Sequence, residues 1–287
     1  MAVEMKRISL HIPTYEPAAP LELPMFFEKK AYQGATGRVY PIPYSDRLSN
    51  APVDKAWDAV VLRNEHIEVT LLPQLGGKIH GAKDLHNGYE FIYQNTVIKP
   101  AMVGLAGPWV SGGVEFNWPQ HHRPTTFMPL EATLRENKDG SKTCVMGEAD
   151  PFQRMRGQVA VTVYPGSSVV EAKATVYNRT DKPLPFMWWN NLAVRVHDQY
   201  KACFPPDVEW GNDHDRRAVI SFPVMKGVYH TARPFDYGEG TDVTWFPAVK
   251  LPSSVMVSKG QSDMDFVGGY DFAAQAGTVT VSDHRVS

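Results

Sequence analysis

Glu115, His121, His122 and Arg123 stand close together in the stretch from Ser111 to Pro129, with Asn117 and Trp118 among them. A carboxylate and an imidazole are the side chains best suited to move protons near neutral pH. An indole, an amide and a guanidinium beside them would offer a polar ligand a ring platform and hydrogen-bond donors. Glu115 and His122 are therefore the catalytic candidates, and Asn117, Trp118, His121 and Arg123 the ligand contacts. If Val114 to Phe116 is a strand, the Glu115 carboxylate points away from its two apolar neighbours. Nearby indoles would then desolvate it and raise its pKa toward that of a general acid. An ion pair with Arg123 or a hydrogen bond to a loop amide is the competing role for the same carboxylate.

Glycines and prolines dictate how these groups are held. Gly112 and Gly113 let the backbone turn tightly, while Pro119, Pro124 and Pro129 exclude a regular helix. The stretch reads as a loop on a rigid scaffold, lining a pocket. Farther along, strand alternation puts Met187, Trp189 and Asn191 on one face, and Trp188 and Asn190 on the other. Trp189 with Asn191 is the pair expected to face the cleft. Upstream, Asn87-Gly88 between two alternating runs signals a two-residue type I′ hairpin. That register sets His86 opposite Tyr89 and Asp84 opposite Phe91. His80 shares their face, lies farther from the turn, and joins the ligand contacts.

The remaining chain supplies strands. Trp57 to Leu72, Met128 to Arg135, Lys142 to Gly147, Met155 to Tyr164, Ser168 to Asn178 and Leu184 to Val196 alternate or run apolar. Turn signals such as Tyr164-Pro165-Gly166 and Arg179 to Pro183 separate them. No amphipathic helical stripe of three turns interrupts them. Strands at spacings of about ten residues argue for an all-β fold, a large antiparallel sandwich. Residues 1–52, rich in Pro and aromatics, read as an N-terminal arm packing on the sandwich, and residues 53–287 as the sandwich itself.

Composition narrows the partners. The 287 residues are 43% hydrophobic, enough for a sizeable core, and carry a net charge of -2. There is no cationic field for nucleic acid or an anionic membrane, no membrane span, and no secretory leader at the start. Cys144 and Cys203, the two cysteines, form neither a disulfide framework nor a zinc signature. A cytoplasmic location is expected, where the Asn178-Arg179-Thr180 sequon stays unused. Neither His80, His121 and His122 with Glu115 nor Asn212-Asp213-His214-Asp215 has the ligand spacing of a known metal loop. The latter reads as a solvated turn, and no metal or cofactor is expected.

Gly76-Gly77-Lys78-Ile79, the turn from Asn178 to Phe186, and the strand from Met187 to Asn191 resemble the pattern of the galactose mutarotase-like superfamily. Gly112 to Pro124 and Met187 to Val194 are more closely similar to an uncharacterised bacterial branch of it, often followed by tetratricopeptide repeats. The resemblance runs from about Trp57 onward. It implies a β-supersandwich of large antiparallel sheets with a sugar site on its concave face. In the mutarotases a strand His protonates the ring oxygen and a Glu near the C-terminus takes the anomeric hydroxyl proton. Here the His position falls on Asn191, with Asn190 the other possibility, and an amide is no general acid. The C-terminal Glu would fall beyond Ser287, so either the natural chain is longer or the last strands are absent. The resemblance implies a carbohydrate-active protein working at the anomeric centre of a mono- or oligosaccharide, as an epimerase or a glycoside hydrolase. A noncatalytic carbohydrate-recognition module is the alternative.

Overall fold

Alternation is clearest in the strand Met155–Val163, where Met155, Gly157, Val159, Val161 and Val163 are all buried. Such a strand buries one face and must find a second layer to cover it. A computed structural model describes residues 2–21, 41–119, 121–151, 153–213, 218–230, 234–250, 254–257 and 261–283. These fall into two units, Met1–Val194 and Arg195–Ser287. Residues 22–40 of the expected arm and residues 214–217 of the expected Asn-Asp-His-Asp turn lie outside the described residues.

Among the described residues the first unit holds twelve strands: β1 (Glu4–Thr14), β2 (Val53–Arg63), β3 (Ile67–Leu72), β4 (Lys78–Asp84), β5 (Ala101–Gly104), β6 (Gly107–Trp109), β7 (Val114–Asn117), β8 (Glu131–Glu136), β9 (Lys142–Ala149), β10 (Met155–Val163), β11 (Val170–Asn178) and β12 (Trp189–Leu192). A six-stranded sheet runs β1-β2-β3-β4-β7-β12, and a four-stranded sheet runs β11-β10-β9-β8. Both are antiparallel throughout. One core cluster joins Val60, Leu62, Val69, Ile79, Val114 and Phe116 of the larger sheet to Met146, Val159 and Val161 of the smaller. The expected all-β sandwich is thus the observed architecture of this unit.

Within the expected N-terminal arm, Glu4–Thr14 forms a strand that pairs with Val53–Arg63 along its whole length, from Glu4 with Arg63 to Thr14 with Val53. Two local expectations change. The hairpin after β4 has a longer turn than two residues: the Asp84 amide donates to Tyr89 O at 2.8 Å and Gly88 N to Asp84 O at 2.9 Å. His86 therefore stands over His66, with the nearest ring nitrogens 2.7 Å apart, and does not face Tyr89. The strand expected from Leu184 to Val196 is regular only over Trp189–Leu192. Elsewhere turn chemistry acts as expected: Asn178 Oδ1 accepts from the Thr180 amide at 2.9 Å, and its Nδ2 donates to Lys182 O at 2.7 Å.

The second unit contains a three-stranded antiparallel sheet of Tyr200–Cys203, Phe266–Asp271 and Ala276–Val281. A second sheet sets Trp210–Asp213 between Val219–Ser221 and Val255–Met256. A short 3-10 turn at Phe246–Ala248 is the helical element among the described residues. No helix of the described residues is long and apolar enough to cross a membrane.

Candidate functional site

The site is organised by one row of residues across three strands. Ile79 of β4 pairs with Val114 of β7, and Asn191 of β12 pairs with Glu115. Lys78, Glu115 and Asn191 consequently stand side by side on one face, since opposed residues in a ladder point the same way. The next pair, Trp189 with Asn117, shares that face. The close approach of β7 to β4 requires a glycine: Gly113 has φ 66°, and a Cβ there would lie 2.0 Å from Ile79 O. Gly76, at φ 66° with Thr126 O 2.0 Å from a would-be Cβ, lets the loop after β7 fold back over the same face.

That loop delivers an imidazole to the carboxylate. His122 Nδ1 lies 3.1 Å from both oxygens of Glu115. Trp109 Nε1 donates to Glu115 Oε1 at 3.0 Å and the Thr126 hydroxyl to the same oxygen at 3.1 Å. Asn191 Nδ2 reaches Glu115 Oε2 at 3.5 Å. Rings enclose His122: Trp189 at 4.7 Å between centroids, His121 at 5.2 Å and Trp109 at 5.3 Å, each tilted edge-on. Trp189 Nε1 is tied to His121 O at 3.0 Å, so β12 and the loop are fastened to each other. His121 itself takes φ 52°, a left-handed backbone uncommon outside glycine.

The sequence candidates separate into two groups. Glu115, His121, His122, Trp189 and Asn191 converge at this place, although Glu115 lies at its floor with 4% exposure. His80, Asn117, Trp118 and Arg123, expected as ligand contacts, are all sealed in the interior at 2% exposure or less. Trp118 continues the Val114–Phe116 face into the core, where its ring stacks at 5.9 Å on Trp188. Arg123 donates to Glu148 Oε1 at 2.9 Å and to Gly76 O, and its guanidinium lies 4.3 Å from the Trp118 ring centroid. It is spent on the scaffold, and its ion-pair partner is Glu148, not Glu115. Asn117 Oδ1 accepts from the Arg123 amide at 2.8 Å, which fixes the loop that follows β7. Among the described residues no three His, Cys, Asp or Glu side chains gather in a metal-binding group.

Residues 35–243 match the model of a domain of unknown function, DUF5107. The chain belongs to this family. The fold is also similar to the crystal structure of a TPR-domain containing protein from Parabacteroides distasonis ATCC 8503, with a TM-score of 0.77 at 21% identity. The likeness covers 98% of this chain and 44% of that protein, so the chain spans less than half of its structural relative.

Charge is distributed unevenly over the row in this DUF5107 chain. Burial pushes the Glu115 carboxyl upward, but the hydrogen bond and charge of His122, with the donor from Trp109, hold it below the ordinary carboxylate range. The raised pKa expected of a general acid is therefore not what this environment produces: Glu115 is an ionised acceptor. Burial, and then the charge of Lys78, draw His80 down to about 4, so it is neutral. A carboxylate gripping Nδ1 orients the imidazole and leaves Nε2 for a ligand. Lys78, Trp109 and Thr126 were not singled out by the sequence reading. The evenly spaced Lys78 and His80 flanking Ile79 carried a signal of a shared face; Trp109 and Thr126, brought in by separate turns, carried none.

A hollow of about 320 Å3 lies elsewhere in the same unit, lined by Tyr15, Trp57, Ile98, Pro100 and Phe127 with Lys55 beside them. It holds packing surface and no carboxylate–imidazole pair.

Proposed function

We propose that this domain is a carbohydrate-active protein that works at the anomeric centre of a neutral sugar or glycoside. His122 is the acid–base group, Glu115 the carboxylate that orients it, and Trp109, Trp189 and Asn191 the ligand contacts. The reading is carried by the 3.1 Å contacts from His122 Nδ1 to both Glu115 oxygens inside a partial ring of indoles. Such a ring suits the C–H face of a pyranose, and an amide at its rim suits a hydroxyl. The resemblance to the galactose mutarotase-like superfamily supports the sugar class, and the all-β sandwich is compatible with it. A cytoplasmic setting accords with two free cysteines, Cys144 and Cys203.

The mechanism that follows uses this chain's own groups. His122 Nε2 takes the anomeric hydroxyl proton and passes it to the ring oxygen as the C1–O5 bond breaks and the C1 carbonyl forms, while Glu115 stabilises the transient imidazolium. After rotation about the C1–C2 bond, Nε2 takes the proton back from the C5 hydroxyl as that oxygen attacks the other face of C1, and delivers it to the former carbonyl oxygen, closing the ring with the opposite configuration. A panel of aldoses followed by polarimetry, with release from aryl glycosides in parallel, tests the reading. One substrate should be accelerated, and His122→Gln should reduce that rate by about 10²–10⁴-fold. Equal rates for the native chain and the variant would overturn it.

One observation favours the noncatalytic module. The strand position expected to carry a second proton-transfer group holds Asn191, an exposed amide, which binds hydroxyls without moving protons. Calorimetric sugar binding that is lost in Trp189→Ala, with every substrate inert, selects this second reading.

A further inference from the structure

Two adjacent threonines of the loop after β7 serve two different carboxylates. The Thr125 hydroxyl donates to Glu148 Oε1 at 2.5 Å, the same oxygen that Arg123 grips at 2.9 Å. The Thr126 hydroxyl donates to Glu115 Oε1 at 3.1 Å. Both threonines are buried, at 8% and 6% exposure, and the backbone that carries them is fixed. The Thr126 amide donates to Arg123 O at 2.9 Å and the Met128 amide to Thr125 O at 2.8 Å. Thr126 O packs against Gly76, where a Cβ would stand 2.0 Å away. The hydroxyl of Thr126 is thus delivered from a preset backbone.

Glu115 needs such a donor. The last torsion of a Glu side chain is broad and roughly two-fold, so the side chain does not set the plane of its own carboxylate. Neighbours must set it. Oε1 takes the Thr126 hydroxyl and Trp109 Nε1 in addition to His122 Nδ1, whereas Oε2 has His122 Nδ1 and a 3.5 Å contact from Asn191. Two neutral donors on one oxygen pin the group at that end, with its plane turned so that both oxygens meet His122. The charged and titratable groups around the carboxylate are His121 and His122 of the loop, Lys78 and His80 of β4, and Arg123. Lys78 donates to Val110 O and Ser111 O, His80 is neutral, and Arg123 is paired with Glu148.

We propose that Thr126 is a positioning residue for the acid–base pair: its hydroxyl fixes the Glu115 carboxylate by Oε1, and the fixed carboxylate orients His122 with Nε2 toward a ligand. The proposal rests on the acid–base reading of this site, and it adds a residue that touches no ligand. Thr125 supplies the contrast, since its hydroxyl braces the scaffold through Glu148. A hydroxyl donated to a carboxylate draws off part of the negative charge. Withdrawing it from Glu115 leaves more charge facing His122 and favours the imidazolium.

The test is an NMR titration of isotope-labelled imidazoles, without sugar, in the native chain, Thr126→Val, Thr126→Ser and Thr125→Val. In Thr126→Val, which keeps the shape and loses the donor, the His122 midpoint is expected to rise by about half a pH unit. Thr126→Ser keeps the hydroxyl and should restore it, while Thr125→Val should leave it in place. An unmoved midpoint in folded Thr126→Val overturns the proposal, and so does an equal shift in Thr125→Val, which would mark a general loosening of the loop. If Thr126→Val does not fold, the Thr126 hydroxyl proton is followed in the native chain. Donated to Glu115, it should exchange slowly with water and shift through the His122 midpoint; a proton that exchanges freely or stays unmoved overturns the proposal equally. Because no sugar is present, failure of the positioning role is distinguishable from failure of the sugar reading.

Discussion

The two faces of the short β7–β12 ladder meet opposite fates. On one, Phe116 and Trp118 stack against Trp188 at 6.2 and 5.9 Å and close the core. On the other, Glu115 and Asn191 with neighbouring Trp189 gather around the His122 imidazole. Trp188 and Trp189 are adjacent in sequence and both half-buried, yet the first stacks on Phe116 and Trp118 and the second meets His122. Residue type alone does not separate structural from functional aromatics; the parity of the strand does.

Mutations on the two faces should divide accordingly. The largest loss is expected at Arg123, fully enclosed beneath Trp118. Arg123→Ala leaves Glu148 uncompensated and should cost about 3–5 kcal/mol in urea unfolding. Trp118→Ala should cost a similar 3–5 kcal/mol through the void it leaves. Trp189→Ala, on the other face, should cost only about 1–2 kcal/mol while abolishing sugar binding. If both tryptophans proved equally destabilising and equally neutral for binding, the division between the faces would fail.

Acid sensitivity sharpens the comparison. Glu115 has a folded pKa below its unfolded value, so its contribution is present above about pH 4.3 and is lost as pH falls through the folded value. His80 is neutral when folded, down to about 4, whereas the unfolded chain takes up the proton near 6.5. Stability should therefore decline as pH drops from about 6.5 toward 4, a window that His80→Leu flattens and Glu115→Gln leaves in place. Unfolding midpoints across a pH series check both signs. The smallest effect belongs to the outer edge of the sheet. Arg7→Ala breaks a 2.6 Å ion pair with Asp58 whose members are both half-exposed, and should change stability by no more than about 1 kcal/mol.

Much of this arrangement was legible in the sequence. Alternation put Glu115 apart from Val114 and Phe116, and joined Trp189 to Asn191. The same rule, carried one residue past Asn117, would have sent Trp118 inward with Phe116; the pull of an indole beside histidines obscured it. Arg123 was illegible because its partner Glu148 lies on β9, and no local pattern couples them. The pKa of Glu115 was misjudged for a related reason: burial was foreseeable, but the hydrogen bond and charge of His122 and the donor from Trp109 arrive from separate stretches of chain. The strand at Glu4–Thr14 was hidden by the prolines that follow it.

The most direct test follows the indole N–H signals of the seven tryptophans during titration with a monosaccharide. The account predicts that Trp109 and Trp189 move together with the His122 imidazole while Trp118 stays fixed. Movement at Trp57 instead, or no movement at Trp109 and Trp189 under saturating sugar, would contradict it.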